Sequence, residues 1–166
     1  MNAFWSYFWP PFGLGLLAGV IFGAFAFRRR RKRGLTLALG FAASILVAAL
    51  WHGPGGGADR LSGKVERDVH ELLVHYEMTQ ATAHLHHGPL TRRVLLSGPA
   101  DDFQRSELVR LIDQVPGVAS TSWSSDGAGI PLIAQGAGVA VLGFLLGLLL
   151  AYLVELRRRY NAQWNW

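Results

Sequence analysis

Three long apolar blocks constrain the fold of this chain more than any other feature. Residues 4–27 carry no charged side chain, residues 34–51 are apolar apart from two hydroxyls, and residues 130–154 contain one amide, Gln135. A helix rises 1.5 Å per residue, so helices built from these blocks can cross a hydrocarbon core of roughly 30 Å. The sequence therefore predicts a membrane protein with three transmembrane α-helices.

The segment between the second and third blocks, residues 58–126, has the charge content of a small soluble domain. It carries seven basic and ten acidic residues, a net charge of −3, although the whole chain has +5. Binding of nucleic acid in a basic groove is therefore not expected there. Because the chain has no cysteine, disulfides, thiolate nucleophiles and Cys-ligated metal sites are excluded.

Basic residues beside the apolar blocks predict the orientation in the membrane. Short loops rich in Lys and Arg stay in the cytoplasm, where they also attract anionic lipids. Three crossings place both basic clusters on that side, so the N terminus and residues 58–126 face the periplasm and the C terminus faces the cytoplasm. The expected location is a bacterial inner membrane. The clusters are Arg28, Arg29, Arg30, Arg31, Lys32 and Arg33, and Arg157, Arg158 and Arg159.

The start of the chain combines an aromatic cluster with a proline pair. Residues 4–9 include two tryptophans, and Pro10 and Pro11 follow directly. Aromatic rings concentrate at the headgroup level of membranes, and proline is favoured in the first turn of a helix. The sequence predicts an aromatic belt followed by a helix start at the prolines.

The middle segment is predicted to be an α+β domain of order α-β-β-α-β, with both helices on one sheet face. Residues 59–77 have an amphipathic helical period, with apolar residues Val65, Val69, Leu72, Leu73 and Tyr76. Residues 81–86, 91–97 and 118–123 are expected to be strands. In the second strand Val94 and Leu96 face the core. Asp101 or Asp102 caps a second helix, whose buried face is Leu108, Leu111, Ile112 and Val115.

Two short motifs in this segment carry a family resemblance. Residues 94–98, Val-Leu-Leu-Ser-Gly, are followed by a helix and then by residues 115–118, Val-Pro-Gly-Val. Residues 58–125 thereby resemble the BON domain, a small module of the bacterial envelope. The resemblance implies a noncatalytic role, with phospholipid or envelope proteins as partners. Independently of it, Gly98 and Gly117 are expected to be turn glycines with positive φ.

Histidines provide the only candidate metal site. His84 and His86 are expected on the same face of a strand, where a third ligand from the helix, such as Glu71, could complete a zinc, copper or nickel site. The alternative is that the histidines are polar residues on a solvent or partner face. His52, beside Trp51, could in principle ligate a haem or other pigment. No cofactor is expected, because polar roles account for these residues.

Small residues recur at helical spacing in the first and third blocks. Such faces allow close helix contact in lipid. They pack either the three helices against one another or one helix against a larger membrane complex. A pump or transporter is not expected, since no ionisable residue lies in the middle of a block. The helix-packing residues are Gly15, Gly19 and Gly23, and Gly136, Ala140, Gly143 and Gly147.

The chain is therefore expected to be a noncatalytic accessory or scaffold subunit of a larger inner-membrane protein complex. The alternative is a free-standing envelope protein whose domain binds phospholipid or envelope partners. The predicted segments are the aromatic belt with the first helix (1–27), a cytoplasmic loop (28–33), the second helix (34–52), a Gly/Pro hinge (53–57), the periplasmic domain (58–126), the third helix (127–155) and a cytoplasmic tail (156–166).

Overall fold

The computed structural model describes residues 2–28, 32–124 and 129–163. The predicted α-β-β-α-β order of the middle segment is confirmed. Among the described residues, three helices are long and apolar enough to cross a membrane. The elements are, in chain order, α1 (Ala3–Arg28), α2 (Arg33–His52), α3 (Gly57–His75), β1 (Thr82–His87), β2 (Leu90–Ser97), α4 (Asp102–Ile112), β3 (Ser120–Ser122) and α5 (Leu132–Gln163).

Two compact units make up the chain. The mixed unit contains Met1–Tyr7 and Gly56–Gln135, and the helical unit contains Phe8–Gly55 and Gly136–Trp166. Each unit has its own interior.

The mixed unit is built on a three-stranded sheet of order β1-β2-β3. β1 pairs antiparallel with β2, and β2 pairs parallel with β3. Leu85, Val94 and Thr121 are neighbours across the three strands, and all three side chains are buried. The predicted inward orientation of Val94 and Leu96 is confirmed, because only 1% and 3% of these residues remain exposed.

Helix α3 covers the sheet with an apolar stripe. Val65, Val69 and Leu73 are buried as predicted, whereas Leu72 is only half-buried, and Leu61 extends the stripe by one turn. Tyr76 does not belong to it. The helix ends at His75, and Tyr76 is the C-terminal cap with 49% of its surface exposed. Glu77 then adopts a positive φ of 57°, which turns the chain away from the helical direction.

Asp101, the first of the two aspartates proposed as caps, is the N-cap of helix α4, which begins at Asp102. The Asp101 carboxylate accepts a hydrogen bond from the Gln104 amide at 2.7 Å, and the Gln104 side chain accepts one from the Asp101 amide at 3.1 Å. This reciprocal capping box satisfies two amides that have no partner within the helix. Leu108 and Ile112 are buried on this helix, as is Val115 beyond it, whereas Leu111 is half-buried.

Both motif glycines have the backbone conformation predicted for them. Gly98 has φ 124° and Gly117 has φ 110°. A β carbon on Gly117 would also lie 2.8 Å from Cγ2 of Val65. These turns therefore require glycine for conformation and, at Gly117, also for space.

The prediction that α1 starts at the proline pair is wrong. The helix begins at Ala3 and runs through Pro10 and Pro11. Neither proline can donate the helical hydrogen bond to the carbonyl four residues earlier. Packing offsets this loss, since Ala3 and Tyr7 are buried and the Tyr7 hydroxyl donates to the Leu132 carbonyl at 3.5 Å.

The predicted end of the third helix at residue 155 is also wrong, because α5 continues through Arg157, Arg158 and Arg159 to Gln163. Arginine, leucine and glutamate are good helix formers. In addition, Glu155 and Arg159 form an ion pair one turn apart, with 3.1 Å between Oε1 and Nε. Residues 164–166 of the predicted tail lie outside the described residues.

Candidate functional site

The sheet has one face packed on its own helices and one face that carries mostly polar side chains. Strand register places Thr82 beside Ser97, His84 beside Leu95, and Arg93 beside Ser120. Side chains alternate along a strand, so these residues point away from Leu85 and Val94, which face α3. We call this surface the open face, and it consists of Thr82, His84, Arg93, Leu95, Ser97, Ser120 and Ser122.

Hydrogen bonds order much of the open face. The hydroxyls of Thr82 and Ser97 lie 2.7 Å apart. The Arg93 guanidinium donates to the Ser122 hydroxyl at 2.7 Å and to the Ser124 carbonyl at 3.0 Å. Cross-strand pairs of this kind hold side chains in defined positions. The result is a polar surface with Leu95 half-buried in it.

The histidines of β1 divide between the two sides of the strand. His86 Nδ1 lies 3.1 Å from the Pro89 carbonyl oxygen, within the hairpin. His87 Nε2 lies 3.2 Å from Oε1 of Glu66 on α3, and the same oxygen accepts a hydrogen bond from the Leu85 amide at 3.1 Å. Glu66 therefore links α3 to the hairpin. No pattern in the sequence distinguished Glu66 from the other polar residues of the helix.

The structure does not bring Glu71 together with His84 and His86. Glu71 is an exposed residue of α3, and α3 packs on the sheet face opposite to His84. Among residues 2–28, 32–124 and 129–163, no three His, Asp or Glu side chains are grouped so that they could hold a metal ion. His52 is the last residue of α2 and is half-buried.

Arg92 is a further residue of the mixed unit that sequence reasoning missed. Its Nε donates to the Gln135 side-chain oxygen at 2.8 Å, and its guanidinium carbon lies 5.1 Å from the centre of the Phe4 ring. Burial lowers the pKa of the Arg92 guanidinium from its usual value. The signal in the sequence was Gln135, the single amide of the third apolar block. Arg92 thereby fixes the sheet to the first turns of α1 and α5.

In the helical unit, the small-residue faces of α1 and α5 contact each other. A β carbon on Gly15 would lie 3.1 Å from Cα of Ala140, and one on Gly23 would lie 2.8 Å from Cβ of Ala151. Gly19 and Gly147 meet at the same interface, where a β carbon on Gly19 would lie 2.9 Å from Gly147 Cα. These distances leave no space for a side chain. The backbones approach as closely as small residues permit.

The remaining predicted packing residues, Gly136 and Gly143, lie on α5. A β carbon on Gly143 would lie 3.0 Å from the Leu16 amide nitrogen, and Gly136 is buried. Helix α2 contributes a third small-residue face that sequence reasoning did not identify, formed by Gly40, Ser44 and Ala48. Their spacing of four residues was the available signal.

At one end of the helical unit, one arginine from each basic cluster contacts Phe27. The Arg33 guanidinium carbon lies 5.0 Å from the centre of the Phe27 ring. Arg159 pairs with Glu155 and also donates to the Phe27 carbonyl oxygen at 3.4 Å. Of the other residues in the two clusters, Arg28, Lys32, Arg157 and Arg158 are exposed. Arg29, Arg30 and Arg31 lie outside the described residues.

Comparisons with protein-family models, with curated proteins and with solved structures found no match to this chain. The resemblance to the BON domain remains a prediction from the motifs at residues 94–98 and 115–118.

Proposed function

We propose that this chain is a noncatalytic accessory or scaffold subunit of a bacterial inner-membrane complex. Its three helices anchor it in the bilayer, and its BON-like domain presents the open face of the sheet to a partner in the periplasm. The observation that carries the proposal is that both helices of the domain leave this sheet face uncovered, while hydrogen bonds hold its side chains in place.

The surface of the helical unit supports the membrane anchor. Large apolar side chains on all three of its helices are about half exposed, which in water would be unfavourable for so many residues. In a bilayer the same residues would contact acyl chains. These exposed residues are Leu14, Leu17, Ile21 and Phe25 on α1, Leu35, Leu39, Leu46 and Leu50 on α2, and Leu142, Leu145, Leu149, Leu150 and Leu153 on α5.

The orientation rests on the two basic clusters. Arg33 and Arg159 belong to different clusters and both lie close to Phe27, so the clusters meet at one end of the helical unit. A retention signal on one side of the membrane requires this arrangement. The proposal places this end in the cytoplasm.

A second candidate function is a free-standing envelope protein whose domain binds phospholipid. One observation favours it over the scaffold role. The glycine faces of α1 and α5 are occupied by each other, so they are not free to accept a helix of another protein. In the scaffold proposal the partner must therefore contact the open face or the outer faces of the helices.

Cysteine accessibility tests the orientation, because the natural chain has no cysteine. Phe103 and Tyr160 are 74% and 60% exposed. A cysteine at either position is therefore accessible to a maleimide from the side of the membrane on which it lies. In spheroplasts a membrane-impermeant maleimide should label Phe103→Cys without permeabilisation, and Tyr160→Cys only after it. The reverse labelling pattern would contradict the proposed orientation.

Purification in mild detergent tests the scaffold role. Wild-type protein should recover partners in fixed stoichiometry, and His84→Glu should reduce their recovery because it places a negative charge on the open face. His70→Glu is the matched control, since His70 is an exposed histidine on α3. Protein that purifies alone and binds liposomes through its domain would support the second candidate function.

A further inference from the structure

A cavity lies at the basic end of the helical unit, lined by residues of α1, α2 and α5. Its volume is about 440 Å³, within the range of small-molecule sites. Phe27 and Tyr152 form an aromatic wall, with their ring centres 5.7 Å apart. Arg33, Glu155 and Arg159 supply its charged groups.

The charges of this cavity favour one negative group. Glu155 is only 18% exposed and is engaged by Arg159, whose Nε lies 3.1 Å from Oε1. This pair is neutral as a whole. Arg33 contributes the remaining positive charge, and within the described part of the chain its guanidinium contacts the Phe27 ring and hydrogen-bonds no protein group. A phosphodiester carries one negative charge and accepts hydrogen bonds from a guanidinium.

The position of the cavity along the helices identifies the source of such a phosphate. On α5 the exposed apolar residues Leu153 and Val154 lie between the cavity residues Tyr152 and Glu155, and Arg157 follows within the next turn. This change from apolar to basic is typical of the depth at which lipid headgroups lie. Leu156 lines the cavity and is 51% exposed, so an acyl chain can continue from the cavity along the apolar surface.

We propose that this cavity is a specific site for the headgroup phosphate of an anionic phospholipid of the cytoplasmic leaflet. The Arg33 guanidinium binds the phosphate, the Glu155–Arg159 pair holds the second arginine in place, and the Tyr152 ring forms part of the wall beside the headgroup. The inference rests on the proposed membrane anchor. It goes beyond the general attraction of basic loops to anionic lipids, because it assigns one lipid to one cavity.

Native mass spectrometry of the full-length protein in mild detergent tests the site. Delipidated protein is mixed with phosphatidylglycerol or, separately, with the zwitterionic phosphatidylcholine at equal concentration. Wild-type protein should form a single phosphatidylglycerol adduct before any phosphatidylcholine adduct. Arg33→Gln should weaken phosphatidylglycerol binding about five-fold, the effect typical of one basic residue at an anionic membrane surface.

Two further variants separate the cavity from surface charge. Arg158→Gln removes a charge from the same end of α5, but Arg158 lies on a shallow depression formed by α5 alone, so binding should be unchanged. Leu156→Trp keeps every charge and fills part of the cavity, so binding should fall. Equal losses for Arg33→Gln and Arg158→Gln, or unchanged binding with Leu156→Trp, would overturn the proposal.

Two controls complete the test: competition with inorganic phosphate and extraction of the protein from membranes. Displacement of phosphatidylglycerol by excess inorganic phosphate, or equal binding of the two lipids, would also overturn the site. Extraction of wild-type membranes with alkaline carbonate is done first. Release of the protein would contradict the membrane anchor itself, whereas retention combined with no lipid preference would contradict the cavity site alone.

Discussion

Close packing of α1 on α5 leads to a sharp prediction for Gly19. A β carbon at this position would contact the Phe144 carbonyl oxygen and lie 2.9 Å from Gly147 Cα. Carbon atoms in proteins pack best at about 3.5 to 4.0 Å. Even alanine therefore requires the two helices to separate by roughly 1 Å, and leucine requires more. Gly19→Leu should destabilise the helical unit.

The size of the effect follows from the cost of overpacking. Insertion of extra carbon atoms into a well-packed interior typically costs about 1 to 3 kcal/mol, and Gly19→Leu belongs at or above the upper end. Gly13 provides a matched control on the same helix, because a β carbon there would have no neighbour within 4 Å. Gly13→Leu makes the same change in hydrophobicity and helix propensity, so it should leave the stability unchanged or raise it.

Thermal unfolding in mild detergent, followed by tryptophan fluorescence, measures the difference. For a loss of this size, Gly19→Leu should lower Tm by an amount on the order of 10 °C relative to Gly13→Leu. Equal melting temperatures of the two variants would refute the close contact between α1 and α5. A Gly19→Leu variant that kept its stability and lost its partners would instead assign the glycine face to another protein.

Two further predictions concern the mixed unit, with stability of the full chain as the measurement. Leu96→Ala should cost about 2 to 5 kcal/mol because Leu96 is 3% exposed; Leu95→Ala, on the open face, should cost less, and the opposite order would mean that the register of β2 is shifted. Asp101→Ala should cost about 1 kcal/mol through loss of the capping box, and an equal effect of Asp102→Ala would show that the cap hydrogen bonds contribute little.

Local patterns were sufficient to predict the elements of this chain. Charge-free blocks predicted the three apolar helices, and alternation along residues 91–97 predicted the burial of Val94 and Leu96, although not that of Thr91. Asp101 was one of two proposed caps, and only the hydrogen bonds of Gln104 distinguished it from Asp102. These properties depend on neighbours within a few residues in the sequence, which is why the sequence alone can reveal them.

The extent of two helices depended on interactions that local rules do not contain. Pro10 and Pro11 are typical of a helix start, yet α1 begins earlier because Ala3 and Tyr7 are buried by distant parts of the chain. The third helix was predicted to end at residue 155, before the basic residues, but α5 continues to Gln163. At both ends, local preference was weaker than packing or pairing between side chains.

By itself, the sequence determined the apolar helices, the order of elements and the presence of small-residue faces. Only the tertiary structure decided that the faces of α1 and α5 pack on each other, that Arg92 reaches Gln135, and that Arg33 and Arg159 share a cavity. The physical reason is sequence distance. Contacts such as those of Arg92 with Gln135 and of Arg159 with Phe27 join residues 43 and 132 positions apart, and they depend on how the chain closes its long loops. The same glycine or arginine pattern is compatible with several partners until the fold selects one.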